Sequence, residues 1–135
     1  MNIIKVRNKS EISEFHKLVY ILYKEQKYWI PHIKQDVEAV FNPQKNSYHQ
    51  HGKIERFILQ KDNLTIGRIA VFYSKKQNSK DTLKTGGFGF FECVNNQKAA
   101  NSLLRTECVF LSGVRDFAFR NAHSKVGILN AQGCF

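Results

Sequence analysis

Gly86-Gly87-Phe88-Gly89-Phe90-Phe91-Glu92-Cys93-Val94-Asn95-Asn96-Gln97-Lys98-Ala99-Ala100 is the stretch on which the fold turns. Its first half has the period of a strand. Phe88, Phe90, Glu92 and Val94 would point to one face, and Gly89, Phe91 and Cys93 to the other. Few polar residues interrupt it, which predicts a central strand covered on both faces. Gly86, Gly87 and Gly89 weaken a strand, so they point to a bulge or a close backbone approach. At Asn95-Asn96 the period changes. Asparagine is a favoured helix N-cap, and Ala99 onward has helical spacing. A strand that runs straight into a helix leaves unpaired N–H groups at the junction, and these attract anions.

Working back from this stretch, Ile54–Gln60 and Leu64–Tyr73 read as strands joined by the turn Lys61-Asp62-Asn63. A basic loop over 74–85 leads into the glycine-rich strand, which completes a three-stranded meander. Before the meander, Ile3, Ile4 and Val6 suggest a short first strand. Ser10 offers an N-cap with Glu11 and Glu14 in the first turn. Ile12, Phe15, Leu18, Val19 and Leu22 then keep helical spacing, with an end near Glu25. Tyr28-Trp29-Ile30-Pro31 is a break whose aromatics would anchor the connection or, as the lesser reading, line a pocket. A second helix carries Ile33, Val37, Val40 and Phe41 and stops at Asn42-Pro43, and 44–52 reads as a polar loop. Beyond the opening stretch, a helix over Gln97–Leu111 has the stripe Ala100, Leu104, Cys108 and Leu111, widened by Leu103, Phe110 and Val114. Gly113 is its stop. Phe117–Phe119 and Lys125–Leu129 could each add a short strand. The order is β-α-α-β-β-β-α, then a strand. This is α+β, a mostly antiparallel sheet flanked by helices.

At 135 residues the chain is expected to form one domain, 1–135. With 42% hydrophobic and 13% aromatic residues it can bury a core. No apolar run approaches membrane-spanning length and no signal-peptide pattern opens the chain, so no membrane partner and a cytoplasmic location are expected. Cys93, Cys108 and Cys134 are odd in number and widely spaced, which argues against a disulfide framework. Lys and Arg outnumber Asp and Glu by 21 to 11, a net charge of +10. Such a surface favours anionic partners, and its plainer role is a solvated face.

Several segments resemble a known group. Tyr28-Trp29-Ile30-Pro31, Asp36-Val37, Phe41-Asn42-Pro43-Gln44-Lys45-Asn46, Gly67-Arg68-Ile69-Ala70 and Gly87-Phe88-Gly89-Phe90-Phe91-Glu92-Cys93 are similar to a group of bacterial proteins in the GNAT superfamily of acyl-CoA-dependent N-acyltransferases. The resemblance covers residues 1 to about 112. It implies a partial GNAT-like fold whose fourth strand is Gly86–Val94. It also implies acetyl-CoA, or another acyl-CoA, as the acyl donor and an amine as acceptor. The donor would lie along Phe90, Phe91, Cys93 and Val94, with its pyrophosphate on the backbone at Asn95, Asn96, Gln97, Lys98 and Ala99. The superfamily's usual Gly-x-Gly or Gly-x-Ala signature is absent at this junction, and Lys98 would partly compensate by charge. The tail over 113–135 does not resemble the group's continuation. The chain therefore reads as lacking the usual C-terminal part, which removes one wall of the cofactor cleft. An unpaired sheet edge left there would invite homodimerisation or partner binding.

Glu92 is the candidate general base, since a strand glutamate sometimes has this role in the superfamily; its other reading is an inter-strand or helix-cap partner. Cys93 reads as a core thiol rather than an acyl acceptor, since nothing near it in sequence supplies a base. His49, His51 and His123, with the cysteines, match no standard zinc spacing, so no metal is expected. Arg56, Arg68 and Lys98, with Lys75, Lys76 and Lys80, would meet cofactor phosphates or nucleic acid, or serve as surface charge. The rival to the acyltransferase reading is a small nucleic-acid-binding module using Phe88, Phe90 and Phe91 as a stacking platform.

Overall fold

The turn predicted at residues 61–63 forms and sets the register of the sheet. A computed structural model describes residues 1–75 and 86–112. Two strands, β2 (Gly52–Lys61) and β3 (Leu64–Ser74), are joined through Asp62 and Asn63, at φ 51° and 63°. A two-residue hairpin turn needs this left-handed backbone, and Asp and Asn tolerate it better than most side chains. β1 (Asn2–Lys5) pairs antiparallel with β2, and β4 (Gly86–Cys93) pairs antiparallel with β3. The four described strands therefore stand in chain order, β1-β2-β3-β4. Three α-helices bounded within the described residues accompany them: α1 (Lys9–Leu22), α2 (Lys34–Phe41) and α3 (Gln97–Ser112). The described part is α+β with an antiparallel sheet. The strands expected at 117–119 and 125–129, the basic run after Lys75, His123 and Cys134 lie outside the described residues. So do Val114 and the side chains of Cys108 and Leu111.

The N-cap of α1 is Asn8, not Ser10. Asn8 Oδ1 accepts from the Glu11 N–H at 2.9 Å. Glu11 Oε2 in turn accepts from the Asn8 and Arg7 N–H groups at 3.0 and 2.6 Å. This reciprocal box needs an acid three residues after the cap. Asn8 has one in Glu11, whereas Ser10 has Ser13. The helix ends at Leu22, short of Glu25, and Trp29 folds back to stack on Tyr23 with ring centroids 5.1 Å apart. That aromatic anchors the connection, as expected. α2 stops at Asn42, but Ile33 is its N-cap and 66% exposed rather than part of its buried stripe. Residues Ser47–Gln50 form a 3₁₀ turn where a loop was expected. Asn46 fastens it by accepting from the Tyr48 N–H and donating to the Val40 carbonyl.

The sheet carries a core on each face. Leu59, Ile69 and Val71 pack with Ala99 and Leu103 of α3, all five fully buried. Leu103 and Phe110, expected at the margin of the stripe of α3, lie on the core, and the stripe is centred one residue before the expected Ala100–Leu104. Gly67 explains the offset: an added Cβ there would stand 2.7 Å from Leu103 Cδ1, so its absence admits Leu103 onto the sheet. On the other face, Phe15 of α1 and Val37 of α2 pack with Val6 and Ile58, flanked by Phe41 and Phe90.

β4 departs from simple alternation. Arg68 faces Glu92 and Ala70 faces Gly89, so Phe90 and Phe91 together oppose Ile69. This is a β-bulge, and Phe90 takes the left-handed backbone at φ 49°. The extra residue reverses the faces beyond it. Phe88, Phe91 and Cys93 lie with α3, while Phe90 lies with α1 and α2. The expected grouping of Phe88 with Phe90, and of Phe91 with Gly89, is corrected accordingly. Val94 also packs on the α3 side. β4 stands at an edge of the described sheet rather than in its centre.

Candidate functional site

The junction after β4 folds as ribbon and then helix. The Val94 N–H donates to the Ile66 carbonyl at 2.9 Å, which holds the end of the ribbon beside β3. Asn96 is the capping residue. Its Oδ1 accepts from the Ala99 N–H at 3.1 Å, and its carbonyl accepts from the Ala100 N–H at 3.1 Å. The N–H groups of Gln97 and Lys98, the first two of α3, have no acceptor within the helix. Asn95, Asn96, Gln97 and Lys98 are all exposed, whereas Ala99 is fully buried. Two of the expected amides are therefore engaged by the chain itself, that of Ala99 by the Asn96 side chain and that of Asn96 by the Val94 carbonyl at 2.6 Å, while those of Gln97 and Lys98 belong to exposed residues at the positive end of the helix dipole. The nine expected donor-binding residues divide accordingly. Phe91, Cys93, Val94 and Ala99 pack with the α3 core, Phe90 lies on the opposite face, and Asn95–Lys98 line the open start of the helix.

Glu92 lies beneath α1, in contact with a buried cation. Its Oε2 accepts from Nε of Arg68, its cross-strand neighbour. Arg68 is 1% exposed, and its Nη1 donates to the Phe15 carbonyl at 2.9 Å. The guanidinium also lies 4.7 Å from the centre of the Phe15 ring and 5.7 Å from that of Phe90. Glu92 is thus the inter-strand partner of Arg68. The left-handed Phe90 is held by Arg68, Phe15 and Phe41. Such a backbone costs a bulky residue on the order of 1–2 kcal/mol, which these contacts offset.

A second buried cation repeats the arrangement one strand away. Arg56 Nη1 and Nη2 donate to Glu38 Oε1 and Oε2 at 2.5 and 3.0 Å. Its guanidinium lies 4.3 Å from the centre of the Phe41 ring and 5.3 Å from that of Phe15. His16 Nε2 is 2.6 Å from Glu38 Oε1; a carboxylate only accepts, so this nitrogen carries the hydrogen. The Arg56 hydrogen bonds hold the Glu38 carboxyl down to about 2, against the upward push of burial. Burial pushes His16 below its usual value of 6.5, and Glu38 only partly reverses this. Two pH limbs follow. A neutral His16 supports the fold above pH 6.5, and that support is lost as pH falls through its lowered value. The Glu38 contribution is present above 4.5 and lost as pH falls toward about 2. The thermal midpoint of a His16→Gln variant is expected to lose the first limb and keep the second.

Sequence reasoning left Arg56 and Arg68 as surface charge or phosphate contacts, and both are buried. The legible signal was a single cation inside each apolar strand, Ile54–Leu59 and Ile66–Val71, with lone acids at Glu38 and Glu92 among apolar neighbours. Of the three histidines considered for a metal, the two that are described have local partners. His49 Nε2 lies 3.1 Å from the Val40 carbonyl, and the His51 ring lies 5.2 Å from that of Tyr48. Among the described residues no group of three or more His, Cys, Asp or Glu is placed to hold a metal ion. Phe88 and Phe91 are half-buried in the α3 core, with ring centroids 5.8 Å apart. The expected stacking platform is therefore partly covered on that face, and Phe90 lies on the other.

A hollow of about 330 Å³ opens along α2, lined by Lys34, Gln35, Glu38, Phe41, Lys45 and Arg56 among others. It does not include the β4–α3 junction. No helix among the described residues is long and apolar enough to cross a membrane. No family model, curated protein or solved structure matches the chain.

Proposed function

We propose that the chain is a GNAT-like domain that uses acetyl-CoA, or another acyl-CoA, to acylate an amine. The observation that carries this reading is the run from bulged β4 into α3 through an exposed junction, Asn95–Lys98. The donor pyrophosphate would sit on the Gln97 and Lys98 amides, where a helix start favours an anion, with the Lys98 ammonium adding charge. The thioester end would lie along β4, whose bulge takes Phe90 and Phe91 out of simple register with Ile69. A backbone N–H there would polarise the thioester carbonyl. The amine nitrogen attacks that carbon, a C–N bond forms, the C–S bond breaks, and the thiolate leaves. The proton lost by the amine passes to a base and then to the departing sulfur.

Glu92 is the proposed base, acting through Oε1, because Oε2 is engaged by Arg68. Unchanged turnover in a folded Glu92→Gln variant would remove it from that role. Support for the whole reading also comes from the β-α-α-β-β-β-α order and the antiparallel sheet with helices on both faces.

The test is a titration of the full chain with acetyl-CoA and, separately, with single-stranded oligonucleotides at two salt concentrations. Saturable acetyl-CoA binding is expected. Steeply salt-dependent oligonucleotide binding without acetyl-CoA binding would replace this reading with a nucleic-acid module. Binding of neither would leave a non-catalytic fragment that meets a partner or a second copy through the edge of β4.

A further inference from the structure

The hollow along α2 has a character that the acyltransferase reading does not use. Its floor is the Arg56–Glu38 pair. Both Glu38 oxygens are engaged, Oε1 by Arg56 and His16 and Oε2 by Arg56. Arg56 is 7% exposed, and both of its terminal nitrogens donate to Glu38. The floor is therefore electrically balanced, and Glu38, with both oxygens engaged, is not free to capture a cation. The walls differ. Lys34 and Lys45 are exposed and have no ion-pair partner among the described residues. Phe41 and Ala39 add apolar surface, and Gln35 and Asn42 add amide groups. A balanced Arg56–Glu38 pair and two unpaired lysines in one lining give a concave site of net positive charge. Its volume is at the lower end for small-molecule sites, which suits a compact ligand rather than a macromolecule.

We propose that this hollow binds a small organic dianion, a phosphomonoester or a short dicarboxylate, with its charges met by Lys34 and Lys45 and its carbon body against Phe41. The site is separate from the β4–α3 junction and does not depend on the acyltransferase reading.

The experiment is calorimetric titration of the full chain with inorganic phosphate and with succinate, at low ionic strength. Three proteins are compared: wild type, Lys34→Gln/Lys45→Gln, and a control of equal charge, Lys9→Gln/Lys61→Gln. All four lysines are exposed, so the variants are expected to fold. Wild type and control should bind one of the probes saturably and alike. The hollow variant should bind it about tenfold more weakly, since it lacks both ammonium groups that meet the ligand's charges. Phosphate binding alone would point to a phosphomonoester, and succinate binding alone to a dicarboxylate. Equal weakening in the control would assign the effect to general surface charge and overturn the proposal. So would the absence of saturable binding of either probe to wild type.

Discussion

Replacing Glu92 by alanine is expected to destabilise the fold by about 3–5 kcal/mol, the range for removing one member of a buried ion pair. Arg68 is its partner, at 1% exposure, below the surface of the sheet. Without Glu92 the guanidinium keeps the Phe15 carbonyl and the faces of Phe15 and Phe90. A ring face contributes roughly 0.5–2 kcal/mol to a nearby cation, too little to replace a carboxylate. Urea unfolding at neutral pH measures the loss, as a lower midpoint with an unchanged slope. The double variant Arg68→Met/Glu92→Leu is expected to recover much of it, because the pair's Coulomb energy is opposed by its desolvation. A loss below about 1 kcal/mol for Glu92→Ala would mean that Arg68 reaches water, as a surface pair does.

Phe15→Ala should have an effect of similar size, about 3–5 kcal/mol, as for a buried phenylalanine truncated in a packed core. Phe15 is fully buried and central to the layer between α1 and the sheet. Its ring meets Phe41 and Phe90 edge-on, at 5.8 and 6.1 Å between centroids. Both buried arginines lie near it, Arg68 at 4.7 Å and Arg56 at 5.3 Å. Truncation leaves a cavity beneath two cations at once. Phe15→Leu keeps most of the volume and gives up the aromatic face, so it should cost less than alanine. Thermal unfolding of the two variants separates these contributions. Equal losses would assign the stabilisation to the ring face rather than to packing.

These two residues also show where the sequence was legible. The meander was readable because Asp62-Asn63 joins two apolar runs of strand period, and a two-residue turn fixes their register. The helices were readable from their apolar spacing. Three details were not. Asn8 outcompeted Ser10 as a cap because Glu11 completes its box. The stripe of α3 was shifted by one because Gly67 makes room for Leu103, a contact that no local pattern encodes. The bulge was suggested by the glycines of β4, yet the left-handed residue is Phe90, held there by tertiary contacts. That bulge reversed the face of every later side chain in the strand. At the candidate site, the helix start at Asn96-Gln97 was readable from composition. The pairing of Arg68 with Glu92 required knowing which strands are neighbours.

Whether the start of α3 receives a diphosphate can be read at single amides. In a ¹⁵N-labelled sample of the full chain titrated with acetyl-CoA, the Gln97 and Lys98 amide resonances should move farthest, saturably, followed by those of Phe90 and Phe91 at the bulge. Saturation with acetyl-CoA that leaves Gln97 and Lys98 in place, or no movement of any resonance, would contradict the proposed binding at this junction.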